Sequence, residues 1–177
     1  MDYAIGLYFD FKTTNKITKI IEAVAQNGAN TYMVDTKIPP HLTLSYFQTD
    51  HINPIINILN THTTNWHANN IFFASLGIFV PNVLFIAPVF TEYLQNLNIE
   101  INNLIESVAT HGDNGHYLPN QWVPHTALAV RLTDAELKAS FETATAMFTA
   151  FEGQAVKLFL AECNPYKEIA TWELHQT

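Results

Sequence analysis

Pro40-His41-Leu42-Thr43-Leu44 and, 84 residues further on, Pro124-His125-Thr126-Ala127-Leu128 nearly repeat each other. Each is a proline, a histidine and then an apolar run of strand character. Proline cannot donate to a ladder, so it marks where each strand can begin. Two equivalent strands that each deliver a histidine imply two equivalent halves with a paired acid and base between them.

The surrounding sequence repeats in the same order. Residues 3–9 alternate, with Tyr3, Ile5, Leu7 and Phe9 on one face, as in a strand. Ile17, Ile20, Ile21 and Val24 have helical spacing, with Gly28 as the stop. Residues 30–40 read as a loop, 41–47 as the first histidine strand, and Pro54 as the first turn of a helix carrying Ile55, Ile56 and Leu59. Strands at 70–80 and 83–87 meet at Pro81-Asn82. The apolar positions from Phe90 to Val108 then give the strongest helical pattern in the chain. A loop over 111–123 leads to the second histidine strand, 125–131. Thr133 and Glu136 form a capping box that opens a helix. Strands at 156–161 and 169–174 close the chain around Asn164-Pro165. The expected fold is therefore α/β (α+β): duplicated βαβ-type lobes around a pseudo-two-fold axis, with a central cleft between two antiparallel-rich sheets. One compact domain over 1–177 is expected, its lobes corresponding to the approximate halves 1–80 and 81–177.

Composition narrows the function. The chain is 48% hydrophobic and 14% charged, as in a globular protein. No apolar run is long enough for a bilayer, and residues 1–4 carry no basic segment ahead of an apolar stretch. A cytoplasmic location without a membrane partner is the expectation. The net charge is −8, with a single arginine, Arg131, and no basic stripe to track a long nucleic acid. The lone Cys163 allows neither an internal disulfide nor a cysteine zinc site, and it reads as a buried small hydrophobe. His51, His62, His67, His111 and His175 have no ligand spacing, so no metal site and no cofactor are expected.

Strand alternation places His41, Thr43, Ser45 and Phe47 on one face, and Leu42, Leu44 and Tyr46 on the other. It places His125, Ala127, Ala129 and Arg131 together, opposite Thr126, Leu128 and Val130. Imidazole exchanges protons near neutral pH, and a hydroxyl two residues on can hold a phosphoryl oxygen beside it. Two such sites face to face suit in-line displacement at phosphorus: one histidine activates the nucleophile and the other protonates the departing oxygen. His116 and Tyr166 are candidates for contacting a substrate from neighbouring loops. Thr126 is a third candidate, which only a β-bulge would bring round to the histidine side. Lys37 and Arg131 are loop or strand-end charges, Arg131 lying about 20 Å along the strand from His125.

With these residues in place, the chain resembles the 2H phosphoesterase superfamily, which includes LigT-like 2′-5′ RNA ligases and cyclic phosphodiesterases. Its members carry two His-x-Thr/Ser motifs about 80 residues apart, and Trp122-Val123-Pro124-His125 with Leu128-Ala129 is particularly like the second motif of bacterial members. The resemblance implies a bilobed α/β fold, with His41 and His125 as the catalytic pair and Thr43 as a phosphate-oxygen donor. It implies metal-independent opening of a cyclic phosphodiester in a small nucleotide or RNA terminus; a monomer is expected. Ala127 departs from the pattern, because it stands where the second hydroxyl belongs. That departure leaves open a non-catalytic or weakly active binding protein on the same scaffold.

Overall fold

The computed structural model describes residues 1–28 and 30–176. Its strands are β1 (Asp2–Phe9), β2 (His41–Gln48), β3 (Asn69–Phe79), β4 (Val83–Pro88), β5 (Thr110–His111), β6 (Thr126–Ala129), β7 (Phe151–Glu162) and β8 (Lys167–Glu173). Its helices are α1 (Phe11–Gly28), α2 (Tyr32–Asp35), α3 (Ile52–His62), α4 (Glu92–Ile105) and α5 (Asp134–Met147). The periodic helices form where the apolar spacing placed them. α5 opens on the expected Thr133/Glu136 capping box, with both reciprocal bonds present. α2 lies within the expected loop at 30–40. It is a single turn with no buried residue, too short to leave a periodic signal.

All ladders are antiparallel, and their order is β5-β2-β1-β7-β3-β4-β6, with β8 also on β7. The two expected sheets are the wings of this one sheet, and β7 is long enough to belong to both. Its residues 155–162 pair with β1, and residues 151–155 pair with β3. One wing is thus β5-β2-β1-β7-β8 and the other β7-β3-β4-β6. Each half of the sequence supplies strands to both wings, and position 80 falls in the β3–β4 turn inside the second wing. The helices cross over too: α1 packs on α5 and β6, whereas α4 packs beneath β2. Leu7, Ile17, Leu42, Leu44, Leu84, Ile101, Leu128 and Leu158 meet in one core under the sheet.

Simple alternation fails at the same place in both histidine strands. Ile5 pairs with Ser45 but Gly6 with Thr43, so Leu44 is an extra residue in β2. Leu84 pairs with Ala129 but Phe85 with Ala127, so Leu128 is an extra residue in β6. Each is a β-bulge, which reverses the facing of every residue beyond it. Hence Ser45, Phe47 and Ala129 are buried, and Tyr46 and Val130 turn into the cleft. This corrects the alternation read from the sequence. β6 also ends at Ala129: Arg131 has left the strand with φ +59° and stacks on Tyr32, 4.3 Å from the ring centroid.

The bulge in β2 leaves the Leu44 carbonyl to be satisfied from elsewhere. Asn98 of α4, itself buried, donates from Nδ2 to that carbonyl at 2.7 Å and to the Tyr117 carbonyl at 2.9 Å. Asn102 donates to the Asn98 carbonyl and accepts from the Ser45 hydroxyl, both at 2.8 Å. Asn98→Ala removes the shorter donor to each of two interior carbonyls, leaving Asn102 Nδ2 at 3.4 Å from that of Leu44 and 3.2 Å from that of Tyr117, and each bond so lost costs about 0.5–1.5 kcal/mol. Urea unfolding of this variant is expected to show a loss of at least about 1 kcal/mol, with near-UV circular dichroism reporting disturbance around Tyr117. Stability equal to the parent would show that the network does not hold the bulge.

Candidate active site

The bulges shape the floor of a cleft of about 1040 Å³ into which both histidine motifs open. β2 and β6 approach each other there. His41 and His125 are held alike. Nδ1 of His41 lies 2.8 Å from the Pro39 carbonyl, and Nδ1 of His125 lies 2.8 Å from the Val123 carbonyl. A carbonyl only accepts, so each Nδ1 carries the hydrogen. In the neutral imidazoles the basic nitrogen is therefore Nε2. Each ring also stands edge-on to a phenylalanine: His41 to Phe159 at 5.4 Å and 87°, His125 to Phe79 at 4.8 Å and 88°.

Beside the histidines the two halves differ. Thr43 lines the cleft, and its hydroxyl bonds to no protein group among the described residues. Its register partner Gly6 leaves room for Phe159; a Cβ there would sit 2.5 Å from the Leu42 carbonyl oxygen and 2.6 Å from the Phe159 ring. In the other half the partner of Ala127 is Phe85, whose ring lies over Gly77, 4.2 Å from Phe79 and 5.4 Å from His125. Ala127 faces the cleft but offers no polar atom.

Thr126 is buried and does not line the cleft, and its Oγ1 has no hydrogen-bond partner among the described residues. The bulge in β6 comes two residues too late to turn it round. His116 and Tyr166 do line the cleft. The Tyr166 hydroxyl is bonded to that of Tyr8, whose ring stacks on Phe159 at 4.4 Å. Cys163 also lines the cleft, half-buried, its thiol pushed up to about 11, chiefly by burial. Several lining residues carried no signal in the strand pattern. Tyr46 was hidden by the bulge, and Asp113 sits in the one-turn segment between Gly112 and Gly115. Trp122 donates from Nε1 to the Thr43 carbonyl at 3.0 Å, tying the second motif's approach to the first motif's strand.

Among the described residues, the non-glycine positions with positive φ are Lys37, Asp113, Asn114, Asn120, Arg131 and Asn164. Each lines the cleft or is next in sequence to a residue that does. Such conformations cost free energy and gather where surrounding structure holds a site in shape. The lining contains no lysine or arginine, so its cationic charge comes from histidine alone.

Burial pushes the His41 imidazole below its ordinary 6.5, only partly offset by the Pro39 carbonyl. Burial also lowers His125; the Val123 carbonyl and the Asp113 carboxylate raise it, and charge on His41 lowers it further. The pair therefore resists double protonation, and holding one proton between two imidazoles is the state that serves acid and base together.

No family model matches the sequence, and no curated protein matches it. The fold is similar to solved structures over nearly the whole chain. One is TT0787 of Thermus thermophilus, at 14% identity and TM-score 0.63, covering 99% of each chain. Another is a phosphoesterase, at 12% identity and TM-score 0.61, covering 99% of each. A third is E. coli LigT complexed with 3′-AMP, at 11% identity and TM-score 0.57, covering 97% of each. The chain adopts the fold of these structures.

The lowered imidazoles have a measurable sign. Between the folded and unfolded values the native state binds fewer protons, so stability falls as pH drops through 6.5. Nitrogen-15 NMR titration is expected to place both midpoints below 6.5, with the neutral rings protonated on Nδ1. Midpoints above 6.5, or the Nε2-protonated tautomer, would contradict the geometry.

Proposed function

We propose that the protein is a metal-independent phosphodiesterase that opens the 2′,3′-cyclic phosphate of a nucleotide or RNA end. His41 and His125 form its acid/base pair, and Thr43 donates to a phosphate oxygen. The observation that carries this reading is the matched pair of imidazoles, each fixed through Nδ1 and sharing one cleft. The similarity to phosphoesterase structures, and to LigT with 3′-AMP bound, supports it.

In the reaction, one neutral imidazole takes a proton from water as the water oxygen bonds to phosphorus. The bond from phosphorus to one ribose oxygen breaks on the opposite side. The second imidazole, protonated, gives its proton to that oxygen, leaving a phosphomonoester and a free hydroxyl. The Thr43 hydroxyl stabilises a non-bridging oxygen as charge gathers there. Both proton transfers are covered by imidazole, so the reaction as written calls for no metal. With no lysine or arginine in the lining, a small nucleotide or terminus is the fitting ligand for a monomeric, cytoplasmic protein.

Ala127 motivates a second reading, a binding protein or weakened enzyme on the same scaffold. One lost donor to a charged oxygen costs about 1.5–3 kcal/mol, roughly ten- to a hundredfold in rate. Ala127→Thr separates the two: a gain of about tenfold marks a weakened enzyme, and a rate that stays at zero marks a binder.

The four 2′,3′-cyclic mononucleotides, incubated in EDTA and resolved by chromatography, test the proposal. His41→Ala and His125→Ala are each expected to lose activity on the order of 10²–10⁴-fold, and Thr43→Ala about ten- to a hundredfold. Because base and acid both titrate below 6.5, kcat/KM is expected to be bell-shaped with its maximum on the acidic side of neutrality. Full turnover in either histidine variant would refute the mechanism.

A further inference from the structure

Asp113 is out of keeping with an anion site. Its carboxylate lines the same cleft as the histidines and acts on His125 and on the Tyr117 hydroxyl through its charge. A negative charge near a bound phosphodiester opposes binding unless it meets a hydrogen-bond donor elsewhere on the ligand. His116 Nδ1 lies 3.7 Å from the carboxylate, beyond hydrogen-bond reach. Asp113 keeps about half its side-chain surface exposed.

Its surroundings supply the rest of a recognition site. The Gly112 amide donates to the Tyr46 carbonyl at 3.0 Å, anchoring the start of the Asp113 turn to β2. Asp113, Asn114 and Gly115 then take φ of +48°, +52° and +77° in succession. Tyr46 and Tyr117, whose rings stack at 6.0 Å and 27°, line the cleft beside this turn. An aromatic plane stacks any nucleobase, whereas a carboxylate selects among them by their donors. Guanine presents N1–H and the exocyclic N2–H side by side, matching the two oxygens of one carboxylate. Adenine and cytosine offer one exocyclic amino group, and uracil a single N–H flanked by two carbonyls that a carboxylate repels.

We infer that Asp113 reads the base of the ligand, with Tyr46 and Tyr117 as the stacking wall, and that the cleft prefers guanosine phosphates. The inference rests on the nucleotide reading of the site, and its test is a binding measurement that needs no turnover. Calorimetric titration with 2′- and 3′-GMP, AMP, CMP and UMP is expected to rank guanosine first, by about tenfold or more over uridine. Asp113→Asn suits the positive φ of this position, since asparagine is among the non-glycine residues that adopt it most readily, so the variant is expected to fold. It is expected to bring GMP affinity to within about threefold of UMP while UMP affinity holds or improves. Tyr117→Leu is expected to weaken all four nucleotides together. Equal affinity for the bases in the parent protein, or no binding of any nucleotide, overturns the inference. So does an Asp113→Asn variant that keeps the parent's base ranking, which would reduce Asp113 to a charge acting on His125. Selective GMP binding without hydrolysis of the cyclic nucleotides would refute the proposed reaction while upholding the role of Asp113.

Discussion

One bulged residue, Leu44, sets the geometry on which the cleft depends. Its insertion turns Ser45 and Phe47 inward and Tyr46 outward, while His41 and Thr43, which precede it, keep their places above the floor. A bulge in a central strand loses ladder bonds, and the carbonyl it frees must find a donor under the sheet. Asn98 supplies that donor and reaches the Tyr117 carbonyl with the same amide. The loop bearing Asp113, His116 and Tyr117 is thereby fixed to the strand that carries the first histidine. Trp122 closes the circuit from the other end of the loop through the Thr43 carbonyl. Two buried amides, Asn98 and Asn102, and one indole therefore tie the loop between the motifs to the strand of the first.

The second half repeats the backbone and changes the chemistry. Leu128 bulges as Leu44 does, and His125 is anchored as His41 is. The glycine and phenylalanine that build the floor have exchanged strands. In the first wing Phe159 on β7 covers Gly6 on β1; in the second, Phe85 on β4 covers Gly77 on β3. The exchange puts a bare glycine beside Thr43 and a large ring beside Ala127. One side of the cleft is therefore equipped to meet a polar oxygen and the other an apolar surface. Two sites alike in bulge and histidine anchor need not be interchangeable towards an asymmetric ligand.

Much of this was legible in the residues. The paired Pro-His segments, their strand setting, the amphipathic helices and the Thr133 capping box are local signals, each with a period or spacing that one sequence displays. The bulges are not, because nothing in Leu42-Thr43-Leu44-Ser45-Tyr46 marks the extra residue. Its cause lies in the register of β1 and in Asn98, which is 54 residues away. Alternation therefore reached His41 and Thr43 and failed immediately beyond Leu44, misplacing Ser45, Tyr46, Ala129 and Val130. It kept Thr126 correctly on the core side. The exchange of helices and strands between the wings was hidden for a related reason: a strand's partners are a property of the whole chain, so β3 reads the same whichever wing receives it.

The electrostatics of the cleft follow from its construction. Floors made of Phe79, Phe85 and Phe159 exclude water from one side of each imidazole, and this favours the neutral ring. With no lysine or arginine in the lining, the empty cleft has little hold on an anion until an imidazole is protonated. An anion placed between the rings would reverse that balance, since its charge favours the imidazolium that burial opposes. Binding of an anion and uptake of a proton are thus linked, and each must strengthen the other. A fixed cation would hold an anion at every pH and would gain nothing from that coupling. Half-buried histidine set against aromatic rings makes the charge of the site depend on what occupies it.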